Sequence, residues 1–244
     1  MTSYEFDALT LSALIAAATV LLCFPVALWV ASWAGRQGPG GRWTLDALLL
    51  MPLALSPAVV GWAVVTALAP QSPAGVWLAE WTQWRLRLVP EGLILINLVL
   101  TLPLMIRTMR PAFETVDHSM VLTARTLGAS RWSAWWSITV AQTSPMLLSA
   151  VVLGFAAAWG ECGASMVVAA ALQSPLGAQQ PGAVAGTVPL TLMSAMQTTR
   201  GQDIAWRMSM VSLGVAALAM LGSEWARRRW RRRALPPQAR GVAA

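Results

Sequence analysis

At 244 residues, 57% hydrophobic and 11% charged, with a mean hydropathy of +0.59, the chain is far more apolar than a soluble domain, whose charged share is about 25%. Its length suits about five or six membrane spans plus loops and leaves no room for a second folded domain. All 17 basic residues are arginine, in a net charge of +7. Without lysine, neither a Walker-type phosphate loop nor a Schiff-base site is encoded, so any nucleotide hydrolysis belongs to a partner.

The N-terminus, MTSYEFDALT, carries Glu5 and Asp7 in place of the basic start of a cleaved signal, so the first helix is expected to be retained. Ala8 to Gly35 is charge-free and long enough to cross a bilayer once, with Trp29 and Trp33 as interface anchors. Cys23 and the distant Cys162 have no metal-ligand companions, and with the single histidine, His118, they form neither a zinc site nor a Cys/His dyad. Cys23 reads as a small buried hydrophobe. A glycine-rich polar turn, Arg36 to Trp43, leads to a second span from Ala47 to about Leu68. Pro52, Pro57 and Gly61 interrupt that span; they mark either a packing kink or a stretch lining a pathway. Ala69 to Pro90 reads as a loop whose Trp77, Trp81 and Trp84 suit an outer interface. The third charge-free run, Gly92 to Ile106, is short and crosses only with Glu91 and Arg107 at opposite headgroup layers.

Leu122 to Pro145 reads as a charged helical hairpin. Leu122, Arg125 and Ala129 fall at helical spacing, Gly128 suits a left-handed helix stop, and Ser130 is placed to cap a helix bearing Trp132, Trp135 and Trp136. Those tryptophans face either a partner's groove or lipid headgroups. The fourth span starts near Ala141 and ends near Gly160. Glu161, in AWGECGAS, is the only acid between Asp117 and Asp203. It is either an interfacial acid at the outer end of the fourth span or a functional acid, since an ionised acid in lipid costs a few kcal/mol. Cys162 to Thr199 is charge-free but broken by SPLGAQQPG, and is expected to be re-entrant or interfacial. Ile204 to Trp225 forms the last span, followed by ARRRWRRRALPPQAR.

Arginine placement orients the chain. With the N-terminus outside, Arg36, Arg42, Arg107, Arg110, Arg125, Arg131 and the cluster from Arg227 to Arg240 lie inside, against Arg85, Arg87 and Arg200 outside. The expected fold is all-α and integral to the membrane: five transmembrane helices, N-out and C-in, a cytoplasmic helical loop, and a re-entrant or interfacial segment before the last helix. The expected division is a transmembrane domain over residues 8–226 and a basic cytoplasmic tail over 227–244. The tail is read as a topological anchor rather than a nucleic-acid or anionic-lipid patch.

The hairpin resembles the coupling loop of binding-protein-dependent ABC importer permeases, whose pattern is Glu-Ala-Ala, three residues, Gly, nine residues, Ile, one residue, Leu-Pro. Aligned on Gly128, the chain keeps Ala124, Leu127, Gly128 and Ile138 and departs at Leu122, Thr123, Val140 and Ala141. Three more stretches resemble the molybdate and tungstate permeases: LALSPAVVGW at Leu53 to Trp62, LPLMIRTMRPAFETVD at Leu102 to Asp117, and AWGECGAS at Ala158 to Ser165. The resemblance covers about residues 8 to 226.

This resemblance implies a permease subunit of an ATP-driven oxyanion importer in the bacterial inner membrane, for molybdate or tungstate. It implies a permease homodimer, two cytoplasmic ATPase subunits that hold ATP and magnesium, an extracytoplasmic oxyanion-binding protein, and lipid. No catalytic, cofactor or metal site is expected in this chain, and no nucleic-acid partner. Ala124, Leu127, Gly128, Arg131 and Ile138 would couple to the ATPase, and Pro57, Gly61, Glu161 and Gly163 would line the path or gate. Leu122, where the family has glutamate, implies a changed ATPase partner or weaker coupling. A sulfate or other oxyanion permease remains an alternative. From other classes, so do a passive channel and an intramembrane enzyme using Glu161 or His118.

Overall fold

A backbone that crosses lipid must satisfy its own polar groups, and the apolar runs of this chain accordingly become helices. The computed structural model describes residues 3–36, 39–69, 72–82, 91–172, 186–196 and 201–234, and among these no strand occurs. Helix α1 (Ser3–Ala34) buries a stripe of small residues, Ser12, Ala16, Thr19, Cys23, Ala27, Ala31 and Ala34, while Leu21, Leu22, Trp29 and Trp33 stay exposed. Small side chains let a neighbouring helix approach closely, and α5 packs along this stripe. Thr19 Oγ1 donates to the Ile15 carbonyl at 2.8 Å, so its burial leaves no free hydroxyl proton.

The polar turn expected over Arg36 to Trp43 is shorter, because Pro39 opens α2 (Pro39–Ala54). Proline suits a first helical position, where its missing N–H has no partner to lose. The second span is then two pieces, since α3 (Pro57–Ala67) leaves α2 at 95° across Leu55 and Ser56. Pro57 supplies no N–H and disfavours helical backbone at the preceding residue, so Ser56 is extended at φ −61°, ψ 135°. The loop expected over Ala69 to Pro90 contains a helix, α4 (Pro73–Thr82), capped where the Gly75 N–H donates to Ser72 Oγ at 2.9 Å. Residues 83–90, Trp84 among them, lie outside the described set.

Helix α5 (Leu93–Glu114) extends well past the charge-free run that ends at Ile106 and packs against α1, α2, α3, α8 and α9. Arg107 and Arg110 end the charge-free run, yet Arg110 is buried in ion pairs with Asp46 and Glu114, so the helix continues through it. After α6 (His118–Thr126) and α7 (Arg131–Ala134), a π-helical turn over Trp135–Val140 runs without a break into α8 (Ala141–Trp159). The hairpin's second arm is therefore the leading end of the fourth span rather than a separate helix. Then follow α9 (Gly163–Leu172), α10 (Val188–Met196) and α11 (Gln202–Ala234).

Among the described residues four helices are long and apolar enough to cross a membrane, Glu5–Ala34, Leu93–Glu114, Arg131–Val168 and Gln202–Trp225, and the bent α2–α3 pair, taken as one span, makes five. Helix α10, nine residues long, is too short to cross and packs against α1, α9 and α11. Residues 173–185 and 197–200 of the same expected segment lie outside the described set. The main core joins α1, α5 and α8 through Val20, Cys23, Met105, Met109, Phe113 and Leu147. At the opposite end Arg207 Nη2 of α11 donates to Glu5 Oε1 of α1 at 2.7 Å, and Glu5 is only 1% exposed. Helix α11 passes residue 226 unbroken and reaches Ala234; residues 235–244 of the expected tail lie outside the described set.

Candidate coupling elbow and membrane cleft

The elbow between α5 and α8 is built from local rules. Asp117 caps α6 by accepting from the Ser119 N–H at 2.9 Å. The helix stops at Gly128, whose φ of +96° is strained for any residue with a Cβ. There the Gly128 N–H donates to the Arg125 carbonyl at 3.1 Å and the Ala129 N–H to the Ala124 carbonyl at 3.0 Å, closing the last turn. Ser130 then caps α7, accepting from the Ser133 N–H at 3.1 Å. Gln142 ties the base of the elbow: its Oε1 accepts from the Asp117 N–H at 3.4 Å and its Nε2 donates to Met120 Sδ at 3.3 Å.

The structure brings the five expected coupling residues into this one elbow. Leu127, 83% exposed, and Arg131 point outward, whereas Ala124 and Ile138 are half-buried on its inner faces. Leu122, Met120, Trp132 and Trp136 add to the exposed apolar surface. Trp135 differs from the expectation that all three tryptophans face outward. It is half-buried, packs against the main core and meets Trp132 edge-on with ring centroids 5.6 Å apart. The wide π turn at Trp135 to Val140 directs it inward.

A second site forms where two helix breaks meet. The α2–α3 break and the α8–α9 break at Gly160 to Cys162 lie face to face, with α3 packed on α9. A Cβ on Gly163 would sit 3.1 Å from Pro57 Cβ and 3.2 Å from the Ala58 nitrogen, and one on Gly61 would sit 3.3 Å from Ala164 Cα. Pro57, Gly61, Glu161 and Gly163, expected separately along the path, are thus neighbours. Beside them opens a cleft of about 160 Å³ lined by Pro52, Leu55, Pro57, Asn97, Thr101 and Glu161, among others.

Glu161 Oε1 accepts from the Ala164 N–H at 3.1 Å, and the Glu161 carbonyl accepts from Ser165 Oγ at 3.0 Å. The carboxylate thereby rests on the positive end of α9, which offsets its charge. Its partner is the helix that immediately follows it in the chain. Asn97 and Thr101, one turn apart on α5, are buried beside the same cleft, and Asn97 Nδ2 donates to the Ala158 carbonyl at 3.5 Å. Sequence reasoning passed over both. A single amide inside the charge-free run Gly92 to Ile106 was the available signal for Asn97. Among the described residues no three of His, Cys, Asp and Glu gather into a metal-sized group.

The protein family described as binding-protein-dependent transport system inner membrane component matches residues 24–223. The molybdenum transport system permease protein ModB of Escherichia coli K12 is 32% identical over 234 residues, which are 96% of this chain and 98% of the relative. The sulfate transport system permease protein CysT of the same organism is 31% identical over 129 residues, 53% of this chain and 46% of the relative. Among solved structures, a bacterial alginate ABC transporter in complex with an alginate pentasaccharide-bound periplasmic protein superposes with a TM-score of 0.68 at 17% identity, covering 94% of this chain and 80% of its own; that likeness speaks for the fold alone.

Proposed function

We propose a substrate and a coupling route from the premise that this chain belongs to the family of binding-protein-dependent transport system inner membrane components. It is a multi-pass protein of the bacterial inner membrane and the permease subunit of an oxyanion importer, a transport subunit rather than a catalytic one. The oxyanion is molybdate or tungstate. The observation that carries this reading is the end-to-end similarity to a molybdenum permease, 32% over 96% of the chain.

In the proposed assembly two copies of the chain enclose the path, and a separate oxyanion-binding protein delivers the anion from outside. Two cytoplasmic ATPase subunits hold ATP and magnesium, and each receives one elbow. The exposed Leu127, Trp132 and Trp136 supply apolar area for that contact, and Arg131 meets acidic groups in the ATPase groove. Ala124, Gly128 and Ile138 hold the elbow's shape. A stiff element suits the task, because a soft loop would absorb displacement instead of passing it on. Leu122 cannot make the ionic contact of the family's glutamate, so this elbow fits an ATPase groove adapted to an apolar residue.

At the cleft, Pro57, Gly61, Glu161 and Gly163 form the gate, where broken helices present main chain and helix ends to the path. A bare carboxylate would repel an oxyanion. Capping α9 offsets that charge and makes Glu161 compatible with an anion path.

The test is uptake of radiolabelled molybdate into vesicles holding the complete complex, with tungstate and sulfate as competitors. ATP-dependent uptake, competed by tungstate and not by sulfate, is expected. Sulfate competing best would favour the second reading, for which the partial match to CysT speaks. Uptake that persists without ATP would replace both with a passive channel.

A further inference from the structure

The elbow and the cleft lie at different levels of the bundle, and one side-chain contact outside both ties α5, which leads into the elbow, to α2, which helps to wall the cleft. Arg110 is 8% exposed and sits near the end of α5, seven residues before the Asp117 cap of the elbow. Its Nε donates to Glu114 Oε1 at 3.0 Å on the next turn, and its Nη1 donates to Asp46 Oδ1 on α2. The first pair is within one helix and needs only i,i+4 spacing. The second spans 64 positions of sequence and ties α2 to α5 side chain to side chain.

Helix α2 packs chiefly on α5, and its far end supplies Pro52 and Leu53 to the cleft wall. Asp46 lies about 12 Å along the helix axis from the last residue of α2, at 1.5 Å per residue. At the 95° break that follows, Pro57 has no N–H to donate, so fewer helical hydrogen bonds hold the angle than hold an unbroken helix. Helix α2 is therefore an arm with a hinge at the cleft and a polar pin at Asp46.

We propose that the Asp46–Arg110 ion pair is the transmission contact through which displacement of the elbow moves α2 and so reshapes the cleft. The proposal rests on the elbow and cleft roles given above. When the ATPase shifts the elbow, the end of α5 moves with it. Releasing Asp46 would leave Glu114 as the carboxylate on the buried guanidinium and take from Nη1 the partner it has here, which is costly, so Arg110 carries Asp46 along. Apolar packing alone permits the two helices to slide, whereas the ion pair fixes their register.

The experiment uses the reconstituted importer with binding protein and ATPase, and reads molybdate imported per ATP hydrolysed. Asp46→Arg and Arg110→Asp are each expected to keep the ATPase bound while that ratio falls about tenfold, within the usual range of coupling effects. The double exchange, which restores opposite charges in reversed positions, is expected to recover most of the loss. Where a reversal prevents assembly, Asp46→Ala carries the comparison: a lowered ratio supports the contact and an unchanged one overturns it. Unchanged ratios in the single reversals, or a double exchange no better than the worse single, also overturn it. Absence of ATP-dependent uptake by the wild-type complex would sink the importer reading itself, whereas wild-type uptake with insensitive variants sinks this proposal alone.

Discussion

Gly128 and Gly163 are small for opposite reasons. At Gly128 the constraint is backbone angle, since φ is +96° and nothing lies within 4 Å of a Cβ built there. Gly128→Ala therefore strains only the turn, by about 1–2 kcal/mol. It is expected to weaken ATPase co-purification while leaving thermal unfolding of the membrane bundle nearly unchanged. At Gly163 the constraint is space against Pro57 and Ala58. Gly163→Ala is expected to lower uptake several-fold with the ATPase still bound, whereas Gly160→Ala, whose nearest neighbour would be the Ala156 carbonyl at 3.5 Å, stays near wild type. Equal effects of the two alanines would contradict the crowding argument. At Glu161, alanine removes the cap of α9 at a cost of about 1 kcal/mol, and glutamine keeps an acceptor oxygen, so thermal unfolding should rank glutamine above alanine. Gly128 and Ser130 were legible in the sequence because a helix stop and a cap are decided within a few residues. The crowding at Gly163 was not, because Pro57 stands more than a hundred positions away.

Among elements, the elbow divides its tryptophans between two tasks. Trp132→Ala and Trp136→Ala are expected to weaken ATPase docking, read as loss of co-purification, with little change in unfolding temperature. Trp135→Ala is expected to do the reverse, because its half-buried ring packs on the core of α1, α5 and α8. A common effect of all three on docking would remove the distinction. Spacing alone could not supply this division, since a π turn shifts side chains around the helix relative to the α-helical period. The sharp break at Pro57 was visible as a proline in an apolar run, but its angle was not, as that depends on the distant helices the two pieces pack on, α5 for α2 and α5 with α9 for α3. That α5 runs on to Glu114 was hidden for a related reason. Charge ends an apolar run on paper, while in the bundle Asp46 and Glu114 neutralise Arg110 and let the helix continue.

Across the whole molecule, five crossings follow from charge-free runs and arginine placement, whereas the contacts that close the bundle join distant parts of the chain. Glu5 and Arg207 close its outer end, 202 positions apart. Arg207→Ala is expected to destabilise the bundle more than the Glu5→Gln/Arg207→Gln double variant, because it removes a cation while the carboxylate stays buried. Thermal unfolding of the purified chain decides this, and a double variant as unstable as the single would argue against the pair. The same contact bears on how the protein is made. During synthesis Glu5 reaches the membrane long before Arg207 exists, since 202 positions separate them. The contact between the first and last helices therefore forms only after the last helix inserts, which makes this part of bundle closure a late event in biogenesis.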